Sequence, residues 1–368
     1  MKINHIKICN FKNIADADLD FSPKVNCFLG NNGMGKSNLL DSIYYMSFCK
    51  SFSGMTDTML IKRDEEFSMI DATYSRRGVE EHLQFGITRG HRKSLKRGGK
   101  SYQRLSQHIG AFPLVLSSPH DIDLIRGAGE ERRRWLDMII SQADPVYLDE
   151  LIRYSRCLEQ RNKLLRDHVA DVSLYIALEI QMDRAAAYIT SCRERYVKEI
   201  AGIFNRYYAD IAGDGESVTL AYRRGADEPE MPLMELFERN RRRDELIGHT
   251  TVGPHRDDIE MLIDGMPMRR VASQGQCKTY VITLRLAQYE FLRGISGMMP
   301  LLLLDDIFDK LDASRVEKIM EIVTHDDFGQ IFVTDTNRLH LDEIMRRTRG
   351  DYRMWFVESG RLTAIEES

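Results

Sequence analysis

No stretch of the 368-residue chain stays apolar for anything near the ~20 residues that a membrane-crossing helix needs. The opening Met1-Lys2-Ile3-Asn4-His5 has no apolar run of a secretory leader behind it. Cysteine is scarce and scattered: six residues, at 9, 27, 49, 157, 192 and 277, with no Cys-x-x-Cys spacing. That excludes a disulfide framework and a zinc ribbon, and reads as the reduced thiols of a cytosolic protein. Excess charge of one sign is missing too. The net charge is −4, so no global polycation announces nucleic acid, and any such contact must come from local patches. There are no internal repeats and no low-complexity tracts. What remains is an ordinary soluble composition, 29% charged and 43% hydrophobic, long enough for two or three domains around a sizeable core.

Against this plain background one octapeptide stands out. Gly30-Asn31-Asn32-Gly33-Met34-Gly35-Lys36-Ser37 is a complete phosphate-binding loop. The apolar Val25–Leu29 predicts a buried strand entering it, and residues 37–44, apolar at 39, 40, 43 and 44, predict a helix leaving it. Glycines at 30, 33 and 35 let successive N–H groups turn inward as an anion nest at a helix N-terminus. Lys36 would neutralise the β- and γ-phosphates of a nucleotide, and the Ser37 hydroxyl would hold Mg²⁺.

A second apolar strand, Leu301–Leu304, ends in Asp305-Asp306. It is expected to run beside the phosphate-loop strand, with Asp305 reaching Mg²⁺ and Asp306 polarising the attacking water. Thirty-two residues before Asp305, Ser273-Gln274-Gly275-Gln276-Cys277-Lys278 opens a helix through Leu284, Leu286, Ala287 and Phe291. A hydroxyl, a glycine amide and a positive helix end form another anion-binding device. One chain already has its phosphate loop, so this second device is expected to meet the γ-phosphate held by another subunit. Leu311-Asp312 would lie across the same interface.

Elsewhere the chain reads as β-rich to about residue 116, with strands at 3–9, 67–74, 82–88 and 113–116. From 145 to 211 it turns helical. Apolar residues at 175, 178, 182, 185, 189, 192, 196, 200, 203 and 207 form a seam, with residues 147–169 as the partner helix and the reversal near Asp171. At 1.5 Å per residue this is an arm of roughly 50 Å at most. A β-like stretch follows at 217–222, then an acidic loop at 227–232. Arg89, Arg92, Lys93, Lys96, Arg97, Lys100 and Arg104 come without an intervening acid, around a Gly98-Gly99 hairpin turn. They predict a locally positive surface, and the first six are candidate DNA contacts.

The order phosphate loop, Ser-Gln-Gly-Gln, Leu-Leu-Leu-Leu-Asp-Asp, Leu-Asp resembles the ABC-type ATPase heads of the SMC-like group. Further stretches resemble the RecF family: 10–13 (Asn-Phe-Lys-Asn), 50–52 (Lys-Ser-Phe), 116–121 (Leu-Ser-Ser-Pro-His-Asp), 132–137 (Arg-Arg-Arg-Trp-Leu-Asp), 160–165 (Gln-Arg-Asn-Lys-Leu-Leu) and 251–258 (Thr-Val-Gly-Pro-His-Arg-Asp-Asp). The likeness spans nearly the whole chain.

It implies an α/β fold, an ABC-type P-loop ATPase head (mixed sheet with helices) bearing an inserted helical subdomain or short antiparallel helical arm. Residues 1–116 and 247–368 would be the two parts of the head, and 117–246 the insertion. It further implies a bacterial cytoplasmic protein with ATP and Mg²⁺ as cofactors. ATP sandwiched between two heads would drive dimerisation on single- and double-stranded DNA at gap junctions, slow DNA-dependent hydrolysis would release it, and RecO- and RecR-type proteins would be partners. Carried over by position, Lys36 and Asp306 are catalytic. Gly30 to Ser37 hold the phosphates, and Ser37 and Asp305 the metal. Ser273, Gln274, Gly275, Gln276 and Lys278 are the trans signature, and Leu311 and Asp312 the interface loop. The family pattern departs at Lys12 and Ser53, where it usually has arginine, and no histidine follows Ile331–Val333. A transporter subunit would need neither the arm nor the Gly-Pro-His-Arg-Asp-Asp segment, and a structural SMC protein would need a far longer coiled coil.

Overall fold

The computed structural model describes residues 1–213, 215–225, 230–308, 311, 313–339, 341, 342 and 351–365. The chain forms two units. Met1–Asp121, Asp210–Ala212 and Gln274–Ser368 make the first; Ile122–Ala209 and Gly213–Ser273 make the second.

The first unit holds two six-stranded sheets. One is antiparallel, with β1 (Lys2–Phe11) between β2 (Ile14–Asp20) and β4 (Phe67–Arg76), followed by β5 (Val79–Thr88), β6 (Ser94–Arg97) and β7 (Lys100–Ser101). Alternation along β1 sends Ile6 and Ile8 fully inside, and Ile3 and Phe11 join them across a register shift between Ile3 and His5 and the positive φ of Asn10. Two-residue turns at Arg77-Gly78 and Gly98-Gly99, all with positive φ, join β4 to β5 and β6 to β7. Their backbone twist matches the strands they join.

The other sheet contains β3 (Val25–Leu29), β8 (Leu114–Ser117), β12 (Leu301–Asp305), β13 (Ile331–Asp335), β14 (Tyr352–Glu358) and β15 (Arg361–Ala364), in the order β15-β14-β3-β13-β12-β8. All pairings but β14–β15 are parallel. Parallel strands are covered on both faces, which explains the unbroken apolar runs of β3 and β12. Four rings anchor one face: Phe28 stacks on Trp355 at 5.0 Å, and Phe21 meets Phe332 edge-on at 4.9 Å. The order corrects one expectation. β12 is not beside β3, because β13 lies between them. Helices α1 (Lys36–Phe48), α2 (Asp57–Leu60), α9 (Gln274–Ser296) and α10 (Ala313–Thr324) also belong to the unit.

The second unit contains α3 (Asp123–Arg126), α4 (Gly129–Ala143), α5 (Pro145–Arg166), α6 (Val172–Ala212) up to Ala209, α7 (Leu233–Ile247), α8 (Met268–Val271) and a sheet of β9 (Val218–Arg223), β10 (Asp258–Ile263) and β11 (Met266–Pro267). Helix ends follow local chemistry. Asp144 accepts from the Val146 and Tyr147 amides with Pro145 in the first turn, Asp171 accepts from the Ser173 amide, and Gly213 closes α6 with positive φ.

The helical hairpin is real but is no free arm. Arg161 of α5, fully buried, bonds Glu179 of α6 at 3.0 Å and Asp244 of α7 at 2.8 Å. Arg193 of α6 holds Asp137 of α4. Four helices thus pack as a bundle. The seam also drifts by one residue toward its end: Phe204 and Tyr208 are buried where 203 and 207 were expected, as a 3.6-residue period requires of a straight helix. The chain re-enters the first unit at Gln274, not at 247, because β10 pairs with β9 throughout its length.

Candidate nucleotide site

The phosphate loop leaves β3 at Gly30 and becomes α1 at Lys36. Each of its glycines has a distinct reason. A Cβ at Gly30 would run into the Val357 carbonyl oxygen of β14. Gly33 and Gly35 have φ of 80° and 113°, the region that favours glycine, and a Cβ at Gly35 would approach the Asn13 amide to 2.7 Å. Asn31, Asn32 and Gly33 are exposed, so the rim of the nest faces solvent. Asn13 braces the loop: its amide donates to the Met34 carbonyl (3.2 Å) and accepts from Asn38 (2.8 Å). Lys36 Nζ donates to the Gly30 and Asn31 carbonyls at 2.6 and 3.0 Å. Burial pulls its pKa down, opposed by the charges of Asp306, Asp305 and Asp335.

Ser37 Oγ donates to Asp305 Oδ1 at 2.9 Å, across 268 residues of sequence. The same carboxylate oxygen accepts from Thr334 Oγ1 at 2.7 Å. Burial pushes the Asp305 carboxyl pKa up, and the two hydroxyls, Lys36 and His120 push it back. Asp306 follows in the left-handed region, φ 48°, with its amide donating to the Thr334 carbonyl and hydroxyl oxygens at 3.2 and 3.1 Å. Thr334 therefore bonds the Asp305 carboxylate and fixes the Asp306 backbone. Sequence reasoning missed it, since the only signal was a hydroxyl ending the apolar run of β13. His120, whose charge acts on Asp305, is a second omission. It sits in the turn after β8, which pairs with β12.

The Ser-Gln-Gly-Gln motif lies where α9 starts, with Gln274 as its first helical residue. Thr279 Oγ1 bonds the Gly275 carbonyl at 3.0 Å and in turn accepts from Arg315 of α10. Farther along α9, Arg285 forms a buried pair with Asp121, at 2.6 and 3.0 Å. Ser273 and Gln274 are exposed, while Gln276 and Lys278 are half-buried. Leu311 bonds back to the Phe308 carbonyl, and Asp312 lies outside the described residues.

The basic hairpin is less free than its sequence suggests. Acids come to it from neighbouring elements: Lys93 meets Asp57 (3.1 Å) and the Cys49 carbonyl, and Arg97 meets Glu81 (2.5 Å). Arg89 Nε bonds the Glu65 carbonyl. The expected uncompensated cluster is thus partly neutralised, and Arg89, Arg92, Lys96, Lys100 and Arg104 are its exposed members. The two departures from the family pattern also meet. Lys12 Nζ lies 2.6 Å from buried Asp41 and 3.2 Å from Ser53 Oγ.

With this geometry in view, comparison with known proteins decides the family. The family model for the RecF/RecN/SMC N-terminal domain matches residues 2–354. The DNA replication and repair protein RecF of Parabacteroides distasonis is 47% identical over the full length of both chains. The chain belongs to the RecF family. RecF of Bacteroides fragilis is 45% identical, with 100% of this chain and 99% of that protein covered. A solved structure of the recombination mediator protein RecF with ATP, in the RecFOR pathway, superposes with a TM-score of 0.88 at 28% identity, covering 99% of this chain and 97% of that one. An Smc head bound to the C-terminal winged-helix domain of ScpA shares the fold, with a TM-score of 0.59 at 16% identity over 99% and 98%. Among the described residues no helix is long and apolar enough to cross a membrane.

Proposed function

We propose that this RecF-family chain is a cytoplasmic DNA replication and repair protein that uses ATP as a switch for dimerisation on DNA. The observation that carries the reading is the Ser37–Asp305 hydrogen bond, which unites the phosphate loop and the carboxylate strand in one site. Gly30 to Ser37 take the phosphates through backbone N–H groups, and Lys36 exchanges its bonds to loop carbonyls for phosphate oxygens.

A hydroxyl and a carboxylate 2.9 Å apart make the oxygen donor set that Mg²⁺ takes, the rest of its shell being phosphate and water. Among the described residues no group of three or more His, Cys, Asp and Glu could hold a metal alone, which agrees with a metal shared with a nucleotide. When bound there, Mg²⁺ would neutralise charge building on the phosphates. Asp306 would orient and polarise the attacking water, its backbone fixed by Thr334. Ser273 to Gln276 and Lys278 would close over the γ-phosphate of a second copy, with Leu311 and Asp312 at the same interface. Slow, DNA-dependent hydrolysis would then release the dimer from single-strand gaps and their duplex junctions, where RecO- and RecR-type proteins act with it.

Size-exclusion chromatography with ATP and Mg²⁺ tests the reading. Lys36→Ala is expected to lose nucleotide binding and stay monomeric. Asp306→Asn is expected to accumulate as an ATP-bound dimer, asparagine being at ease with the positive φ at 306. A monomeric, ATP-loaded D306N protein would sink the sandwich.

A further inference from the structure

In the segment 253–258 of the second unit, nearly every side chain that can bond is committed inside the protein. His255 bonds the Tyr154 hydroxyl (2.7 Å) and the Thr250 carbonyl (3.1 Å). Asp257 accepts from the Tyr222 hydroxyl and the Gly225 amide. Asp258 takes both arms of Arg132. Arg256 is the exception. It is exposed, and no described residue pairs with its guanidinium.

Arg256 borders a cavity of about 530 Å³, which is also lined by Arg132, Arg223, Arg224 and Arg269. Arg132 is neutralised by Asp258, Arg223 by Glu260 (3.2 Å) and Arg224 by Glu194 (2.7 Å). Arg269, at the start of α8, is exposed and again without a described partner. Two arginines without a described partner thus line one cavity, beside the carboxylates of Asp258 and Glu260 that pair with Arg132 and Arg223. Gly225 makes the arrangement possible, since a Cβ there would collide with the Arg256 carbonyl.

The geometry points to a phosphodiester-binding cleft, in which Arg256 and Arg269 grip the backbone of DNA. This rests on the DNA-binding reading and adds a contact surface in the second unit, apart from the hairpin of the first. Guanidinium forks match phosphate oxygens in pairs. Among the described residues the cleft has no aromatic lining on which bases could stack, so it takes backbone. Of its apolar members, Ile125, Ile259, Met261 and Met268 are at most 7% exposed and Leu262 and Pro267 are half-buried, so a peptide's apolar anchors would find little surface there. Backbone contacts carry no base information, so no sequence preference is expected.

Fluorescence anisotropy with a labelled duplex, full-length protein and ATP across a salt series tests this. Arg256→Ala/Arg269→Ala is expected to bind at least tenfold more weakly. Its log–log salt slope should be shallower by up to about 0.9 for each lost contact. Unchanged affinity and slope in a variant that melts like the wild type overturn the assignment. So does a variant that binds DNA normally but loses stabilisation by inorganic tripolyphosphate, which would make the cleft a free-polyphosphate site. Failure of the wild type itself to bind would sink the DNA reading, and this inference with it.

Discussion

Arg132 Nε and Nη2 donate to Asp258 Oδ1 and Oδ2 at 2.7 and 2.9 Å, a two-pronged pair that joins segments 126 residues apart. The remaining nitrogen of Arg132 donates to the Leu124 and Gly127 carbonyls. One guanidinium thereby fixes the α3–α4 junction to the start of β10. Asp258→Asn keeps the shape and removes the charge. It should cost about 1–3 kcal/mol, the range for charge-assisted bonds. A fully buried pair would cost more, but the Asp258 side chain is 39% exposed and water screens it. Chemical denaturation of the variant measures this, and a loss below a few tenths of a kcal/mol would contradict it.

Thr334→Val is the sharpest probe of the carboxylate strand. It is nearly isosteric, keeps the backbone bond from the Asp306 amide, and removes the hydroxyl that bonds Asp305. Losing that donor favours the protonated acid over the carboxylate a metal needs. Nucleotide affinity in the presence of Mg²⁺ should fall about tenfold, the equivalent of one charge-assisted bond. Affinity in EDTA should hold. Equal losses in both buffers would mean that Thr334 only supports the fold.

The basic hairpin should divide into two classes of residue. Reversing Arg92, Lys96 and Lys100 together ought to weaken DNA binding and flatten its salt dependence while leaving the melting temperature alone. Lys93→Ala and Arg97→Ala should instead lower the melting temperature, because each loses a partner inside the unit. Identical behaviour of the two sets in both assays would refute the division.

His108 is fully buried, with Nε2 donating to the Met46 carbonyl of α1 at 2.7 Å and Nδ1 accepting from the Tyr102 hydroxyl at 3.1 Å. Burial lowers its pKa to about 4, and that of His255 likewise. The unfolded chain, with ordinary imidazoles near 6.5, takes up protons first as pH falls. Stability from these groups is therefore complete above about 6.5 and declines toward 4, by up to about 1.4 kcal/mol per pH unit for each histidine. Denaturation midpoints at pH 7.5 and 5.5 should converge in His108→Gln/His255→Gln. A pH dependence as steep as the wild type's would show that other groups govern it.

Local chemistry made much of this protein legible from sequence. β3, α1 and β12 announce themselves because glycine geometry, unbroken apolar runs and a terminal carboxylate act within a few residues. What escaped depends on who sits beside whom. Thr334 matters because β13 occupies the place between β3 and β12, a fact of sheet order. Nothing in the sequence around Arg161 announces that Glu179 and Asp244, 18 and 83 residues away, meet it at zero exposure. Lys93 and Arg97 seem uncompensated until strand pairing and the α2 turn deliver Glu81 and Asp57. Charge balance is a property of neighbours in space, and a linear window sees only neighbours in sequence.

The two strands that flank β3, β13 and β14, begin about 300 residues after it ends. At a synthesis rate of 5–20 residues per second, the apolar Val25–Leu29 waits roughly 15–60 s on the ribosome for the partners that cover its edges. The strand that leads into the phosphate loop is made about 300 residues before the two strands that pair with it. A product that stopped short of β13 would leave both edges of β3 without a partner strand.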